Sequence, residues 1–476
     1  MAESRPDERI EHGLDDSPTF IVKYDPEKRD RLTSWVDSDD KRDLLAEHDH
    51  ADLATISTSW EDAGVKTYPG GFSRVSGGLQ SLSWVEYVDA NVTMSFPEPL
   101  TTLEDSSAWD VDLDYGERIR LAVSRTPTPS SSGLAFDEDA LTASISDARE
   151  HVRADDTLVS SVGTSGMVVA VVDTGCNTDG GDLESRLLPE SQNLITGETV
   201  GDNGPEAVAD GADSRHGSWV SHCIVGPDGF APGASLLALK ALGDDGSGST
   251  ADIIAAIEVA IDEGADVICL SLGSPMYSKA LAVVLEQAAE NDVLPVVAAG
   301  NDRIGGSTWV NSPADADDAL AINATNVPES GDRDDTKIAN FGNIGPDPGV
   351  SDLSNGDTNG ATPALAAPGM AIRITLPNGP KELSGTSMAA PMVAGGATLI
   401  RASENLTVEE AIDRLTVTSY PLPNVGETEA ENGLLDVQAA INNAEPDETQ
   451  ADVRNDEAQV RDEFNRWLSN TQGGWL

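Results

Sequence analysis

The 476-residue chain is poor in positive charge: 29 Lys and Arg stand against 83 Asp and Glu, a formal net charge of −54. That argues against a sequence-blind grip on nucleic acid, which needs cations to neutralise phosphates. It argues equally against an anionic membrane surface. Lysine is especially scarce, at eight residues against 21 Arg. The three cysteines, Cys176, Cys223 and Cys269, leave at least one unpaired; they are too few for a disulfide framework and lack zinc-like spacing. Buried, inert thiols are the expectation. No apolar run approaches the ~20 residues that span a bilayer. The start, MAESRPDERIEHG, has neither an apolar h-region nor a twin-Arg pair, so no export signal is recognised. Localisation stays open between a salty cytosol and export by another route.

A hydrophobic fraction of 39% is enough for a sizeable core. Single cores usually stop growing at ~250–300 residues, so the length implies two or three units. Acids are spread along the whole chain, and their mutual repulsion would be screened by concentrated salt. Salt adaptation is the expectation, set against a low-salt acidic protein with disordered acidic tails.

Five segments can be read. A polar tail covers 1–18. Residues 19–97 read as a small α+β unit: FIVKY is a strand, RDRLTSWVDSDDKRDLLAEH a polar-faced helix, and ADLATISTSW and SLSWVEYVDANVTMSF further strands. A linker over 98–139 contains the Pro/Ser-rich RTPTPSSSG. From 140 to 443, strand and helix patterns alternate. MVVAVVDTG reads as a strand buried on both faces, ADIIAAIEVAIDEG as a helix, and ADVICLSLG, SKALAVVLEQAAEND and VLPVVAAGN continue the series. The fold class is therefore α/β, a mostly parallel sheet covered by helices on both faces. Residues 444–476 combine an acidic linker with an amphipathic helix carrying Val453, Val460, Phe464, Trp467 and Leu468, expected to dock on the body.

Three polar residues stand beside glycine at element ends. Asp173 ends MVVAVVDTG, His216 precedes Gly217 at a helix start, and Ser387 lies in the first turn of an Ala-rich helix. Taken singly, each has a plainer reading: a turn cap, a satisfied histidine, a helix cap. His48 and His50, in the charged helix-like stretch, read as solvated, and His216 with His222 lacks ligand spacing, so no metal site is assigned. Together the three make chemical sense. A serine hydroxyl needs a base, histidine is that base, and a carboxylate fixes its tautomer. The helix N-terminus adds N–H groups for an oxyanion.

These residues, with HGSWV, GFAPGASLLALKALGDDGSGS, SLGS, VVAAGN and GTSMAAPMVAGG in that order, resemble the subtilisin-like serine protease family over roughly residues 140–443. The resemblance implies Ser387 as nucleophile, His216 as general base and acid, and Asp173 as orienting carboxylate. It implies Asn301 as side-chain donor to the oxyanion, with the Ser387 N–H as the second donor. Gly246, Ser247 and Gly248 would form one edge for an extended substrate. Ser271, Leu272 and Gly273 would form the other edge and one wall of the P1 pocket, with Ala298, Ala299 and Gly300 opposite and Asn311 near its floor. Substrates would be polypeptides in extended conformation. The chemistry would require no cofactor.

The chain also departs from the family. Trp219, Ser221 and His222 replace a second His and an Ala-Gly pair. The family's strong calcium loop is missing between His216 and GFAP, although Asp182 matches one of its ligands and an acidic insert holds Asp347, Asp352 and Asp357. The 19–97 unit resembles the family's propeptide, which implies an N-terminal domain lying in the cleft and cut in cis between about 94 and 133. The competing reading is a catalytically silent peptide-binding module of the same fold. A dedicated processing protease is the third, with Asp213, Asp244 and Asp245 favouring basic substrates.

Overall fold

The structure is a computed structural model and describes residues 18–68, 71–74, 78–95, 142–177, 183–303, 309–346 and 361–472. The expected linker, the tail up to residue 17, the acidic insert and Asp182 lie outside the described residues.

The N-terminal segment forms strand β1 (Thr19–Tyr24), helix α1 (Arg29–Val36), β2 (Asp43–His48), β3 (Leu53–Ser57), β4 (Val85–Ala90) and β5 (Thr93–Ser95). The first four strands make an antiparallel sheet in the order β2-β3-β1-β4. Side chains alternate across a strand. Phe20 and Val22 accordingly pack with Leu32 in a small core of their own, whereas Ile21, Leu53 and Tyr87 join the apolar cluster of the larger unit. The stretch expected to be one long helix is half strand. Its helix stops at Val36, and DLLAEH pairs with LATIS through a bulge between Leu44 and Ala46. Cross-strand pairing outweighed a weak helical pattern.

In the larger unit, β6 (Val168–Asp173), β7 (Gln192–Asn193), helix α2 (His216–Val225), β8 (Ser235–Lys240), β9 (Ser247–Ser249), α3 (Thr250–Asp262), β10 (Val267–Leu270), α4 (Lys279–Glu290), β11 (Leu294–Ala298), β12 (Leu320–Thr325), β13 (Leu365–Pro368) and α5 (Thr386–Ser403) follow in order. Seven of these strands form one parallel sheet, β7-β8-β6-β10-β11-β12-β13. Val169 and Val171 face α2 and α5; Ala170 and Val172 face α3 and α4. Helices thus cover both faces. Strand order reverses at β6, so the crevice at the carboxyl ends of β6 and β10 is where an open α/β sheet puts its chemistry. Among the described residues, no helix is long and apolar enough to cross a membrane.

The two units touch along α3 and α4. Asp89 accepts from Ser278 Oγ at 3.2 Å and Ala280 N–H at 3.3 Å, at the N-terminus of α4. Val92 O accepts from Thr250 N–H and Oγ1. His48, expected to be solvated, is buried against Thr55 and Glu258, and His50 pairs with Asp262. β5 pairs antiparallel with β9, with Ser95 opposite Ser247. On its other side Ser95 exchanges both backbone hydrogen bonds with Gly273.

The C-terminal helix α6 (Asp456–Gln472) docks on the body with Val460 and Trp467 of its expected apolar stripe turned outward. Ala458, Asp462, Asn465 and Ser469 are buried, while Val460 and Trp467 are 42% and 56% exposed. The buried positions recur every three or four residues, so the inward face is helical in period and polar in chemistry.

Candidate active site

β6 ends in a carboxylate because its apolar run stops there, at the sheet edge where the chain turns. Asp173 is buried, and its Oδ1 accepts the Thr174 N–H at 2.7 Å. A buried carboxylate requires such donors. Its main partner is His216, whose Nδ1 lies 2.8 Å from Oδ1 and 3.0 Å from Oδ2. A carboxylate accepts, so Nδ1 carries the proton and the lone pair of the neutral ring is on Nε2.

His216 opens α2, and a polar network sets that helix against β6. Thr174 Oγ1 accepts the Gly217 N–H and donates to Asp210, whose other oxygen accepts from Ser218 N–H and Oγ. Position 217 has to be glycine: a Cβ there would lie 2.2 Å from the Gly175 carbonyl oxygen. Every residue of α2 is buried. The replaced positions are accommodated within it, with His222 Nδ1 donating back to Ser218 O at 2.7 Å.

Ser387 is the second residue of α5, whose N-cap, Gly385, offers no side chain to the first-turn N–H groups. Its hydroxyl donates to Ser271 O at 3.1 Å, and Ser271 Oγ donates back to Ser387 O at 3.0 Å. That exchange ties the start of α5 to the end of β10. Asn301 follows β11 by three residues. Its Oδ1 accepts from Thr386 N–H at 2.9 Å and Thr386 Oγ1 at 2.8 Å, which fixes the amide's orientation. Its Nδ2 is buried and has no partner among the described residues. A Cβ on Gly385 would lie 3.0 Å from it. An unsatisfied buried donor beside a helix N-terminus is an anion seat by chemistry.

Of the residues expected to edge a substrate, Gly246–Gly248 lie in and just before β9 and Ser271–Gly273 follow β10. Ala298, Ala299 and Gly300 close β11, all buried. Asn311 lies between the two walls, since Cβ atoms added at Gly273 and Gly300 would both meet its side chain. Its Nδ2 donates to Asp302 at 2.8 Å, and its Oδ1 accepts from Asn343 at 3.0 Å.

The sequence pattern of the subtilase family matches residues 164–457. The chain belongs to that family. This subtilase is 35% identical over 285 residues to subtilisin NAT of Bacillus subtilis subsp. natto, covering 58% of this chain and 66% of that protein. It is 34% identical to the major intracellular serine protease of Bacillus subtilis (strain 168), covering 56% of this chain and 80% of the relative. In fold it resembles fervidolysin from Fervidobacterium pennivorans, with a TM-score of 0.64 at 18% identity, over 92% of this chain and 63% of that one.

Reasoning from sequence missed Asp210, Thr386 and Asn343, which hold the site from behind. Thr386 adjoins Ser387 and was within reach. Asp210 and Asn343 bear no local mark. Burial pushes the Cys176 and Cys269 thiols to about 12 and the Cys223 thiol well up, as inert cysteines require. Among the described residues, no group of three or more His, Cys, Asp or Glu is arranged to hold a metal. Asp244 is spoken for by Lys240, which donates to it at 2.9 Å.

Proposed function

We propose that this subtilase is a serine endopeptidase. The observation that carries the reading is the buried Asp173–His216 pair at the end of β6, with α2 packed against the helix that begins with Thr386 and Ser387. Ser387 gives up its bond to Ser271, donates its proton to His216 Nε2 and attacks a peptide carbonyl. Asp173 holds the imidazolium that forms. The oxyanion is met by Asn301 Nδ2 and the Ser387 N–H. His216 returns the proton to the leaving amine, and water repeats the sequence in reverse to free the acid. The reaction runs on this chain's own side chains and needs no metal or cofactor.

An extended polypeptide is the substrate we infer, bound between Gly246–Gly248 and Ser271–Gly273. The seat taken by Thr93–Ser95 supports this, because β5 lies between those edges as a substrate strand would. By the same reasoning residues 19–97 act as a propeptide-like inhibitor of the 140–443 catalytic unit, held in the cleft until cut. Asp89 at the start of α4 and the Thr250–Val92 bonds support that role. The charge of −54 supports a working medium of high salt.

The test is hydrolysis of an unfolded protein and a peptide anilide in concentrated KCl. Wild type is expected to cleave both and Ser387→Ala neither. Equal activity of the two would remove the proposed triad.

A further inference from the structure

The family pattern ends at residue 457, so α6 lies almost wholly beyond it. Yet α6 reaches back to the segment that carries Asn301, by two routes.

The first is ionic. Arg461 on α6 meets the Glu429 carboxylate at 3.0 Å, and Arg303 meets the same carboxylate at 3.2 Å. Glu429 is 1% exposed, and Arg303 stands two residues beyond Asn301. Burial alone would raise the Glu429 pKa. Arg461 and Arg303 outweigh it, with help from the Gly426 N–H, and hold it at about 2.

The second route runs through amides. The Asp462 carboxylate on α6 accepts from Glu427 N–H, Thr428 N–H and Thr428 Oγ1 at 2.8–2.9 Å, and Asn465 donates to Thr428 Oγ1 at 2.8 Å. These bonds set the 427–429 turn. The Glu429 carbonyl then accepts from Asn323 Nδ2, which also donates to Asn343 O, both at 2.9 Å. Asn343 grips the Asn301 segment on both flanks. Its N–H donates to Gly300 O at 3.0 Å, and its Oδ1 accepts the Asp302 N–H at 2.8 Å. Asn323 and Asn343 are fully buried, so neither amide exchanges these partners for water.

We propose that Glu429, clamped by Arg461 of α6, is a positioning residue for Asn301: it holds Gly300–Arg303 from both sides so that Nδ2 stays where the oxyanion forms. This rests on the role proposed for Asn301. Preorganised donors lose most of their value when displaced, and a shift of about 1 Å can cost ~10²-fold. A helix outside the family's common pattern has thus become part of the catalytic frame.

The test is a double-mutant comparison in the full chain. Glu429→Gln and Arg461→Gln are made alone and with Asn301→Ala, and kcat and KM are measured on a peptide anilide in concentrated KCl, with circular dichroism confirming the fold. Each single change is expected to lower kcat by ~10-fold with KM unchanged within about twofold, and Arg461→Lys to restore most of it. With Asn301→Ala, the same changes should cost less than about twofold, because no donor is left to misplace. Equal losses in both backgrounds, or full kcat in the single variants, would overturn the proposal. If Glu429→Gln does not fold, Arg461→Gln carries the test, since that side chain is 25% exposed. A wild type that hydrolyses nothing would refute the proposed function and the positioning role together. An active wild type without the coupling would refute only the latter.

Discussion

Replacing Asn301 with alanine is expected to lower kcat by ~10²–10³ while KM stays nearly constant. That range is the loss that removing such a donor causes in subtilisin itself. What the structure adds is where the loss should appear. Oδ1 is fully used by Thr386 N–H and Oγ1, and Nδ2 has no partner among the described residues. In the ground state, therefore, Nδ2 contributes little, and its bond is made only as charge develops on the substrate oxygen. Truncation also strands the two Thr386 donors, at a cost of about 1–3 kcal/mol in stability for a buried donor. Asn301→Asp keeps an acceptor for Thr386, so it spares those bonds while removing the donor and adding a negative charge where the oxyanion forms. Initial rates on a peptide anilide in concentrated KCl, with thermal melts alongside, read both quantities. Both variants should be folded, with Asn301→Asp at least as crippled as Asn301→Ala. A kcat within about threefold of wild type in folded Asn301→Asp would refute the assignment.

Asp173→Asn should leave the fold intact and lower kcat by ~10⁴, because an amide can hold His216 in the wrong tautomer; kcat measured on the folded variant decides it. Gly300→Ala should lose both activity and stability in the same assays: φ is +106° there, and an added Cβ would lie 2.4 Å from Asn343 Nδ2 and 2.7 Å from Asn311 Nδ2. Burial raises the Asp89 carboxyl to about 6, above its ordinary 3.8. Docking of the N-terminal segment through Asp89 is therefore strongest below pH ~4 and weakens as pH rises through about 6. The inhibition constant of a separately made 1–97 segment should rise from pH 5 to 8 by on the order of tenfold, and Asp89→Asn should flatten that rise. Dilution from molar salt should unfold the chain, as followed by circular dichroism, through repulsion among its 83 acids.

Local pattern carried the sheet and marked the residues proposed to react. An apolar run ending in Asp173 and a helix start at Thr386 are short-range signals. What it could not carry was decided by partners outside the segment itself. DLLAEH is as acceptable in a helix as in a strand until LATIS pairs with it. His48 reads as solvated until Glu258, 210 positions away, meets it. The helix α6 was assigned by its apolar residues, but its inward face is chosen by Glu427, Thr428 and Glu429, whose bonding groups need Arg461, Asp462 and Asn465. Asn343 behind Asn301 belongs to the same class: a buried amide is satisfied by partners that no periodicity announces.

The central claim, that Ser387 is activated by His216 and Asp173, is tested most directly by a serine-directed fluorophosphonate. Purified full-length protein in concentrated KCl is treated and its mass recorded, with Ser387→Ala alongside, and the labelled peptide is sequenced. The account predicts one label, on Ser387, absent from the variant, on a chain shortened at its N-terminus. A labelled chain of full length would keep the protease and discard the removable propeptide. Folded wild type that takes up no label would contradict the account and favour a silent peptide-binding module.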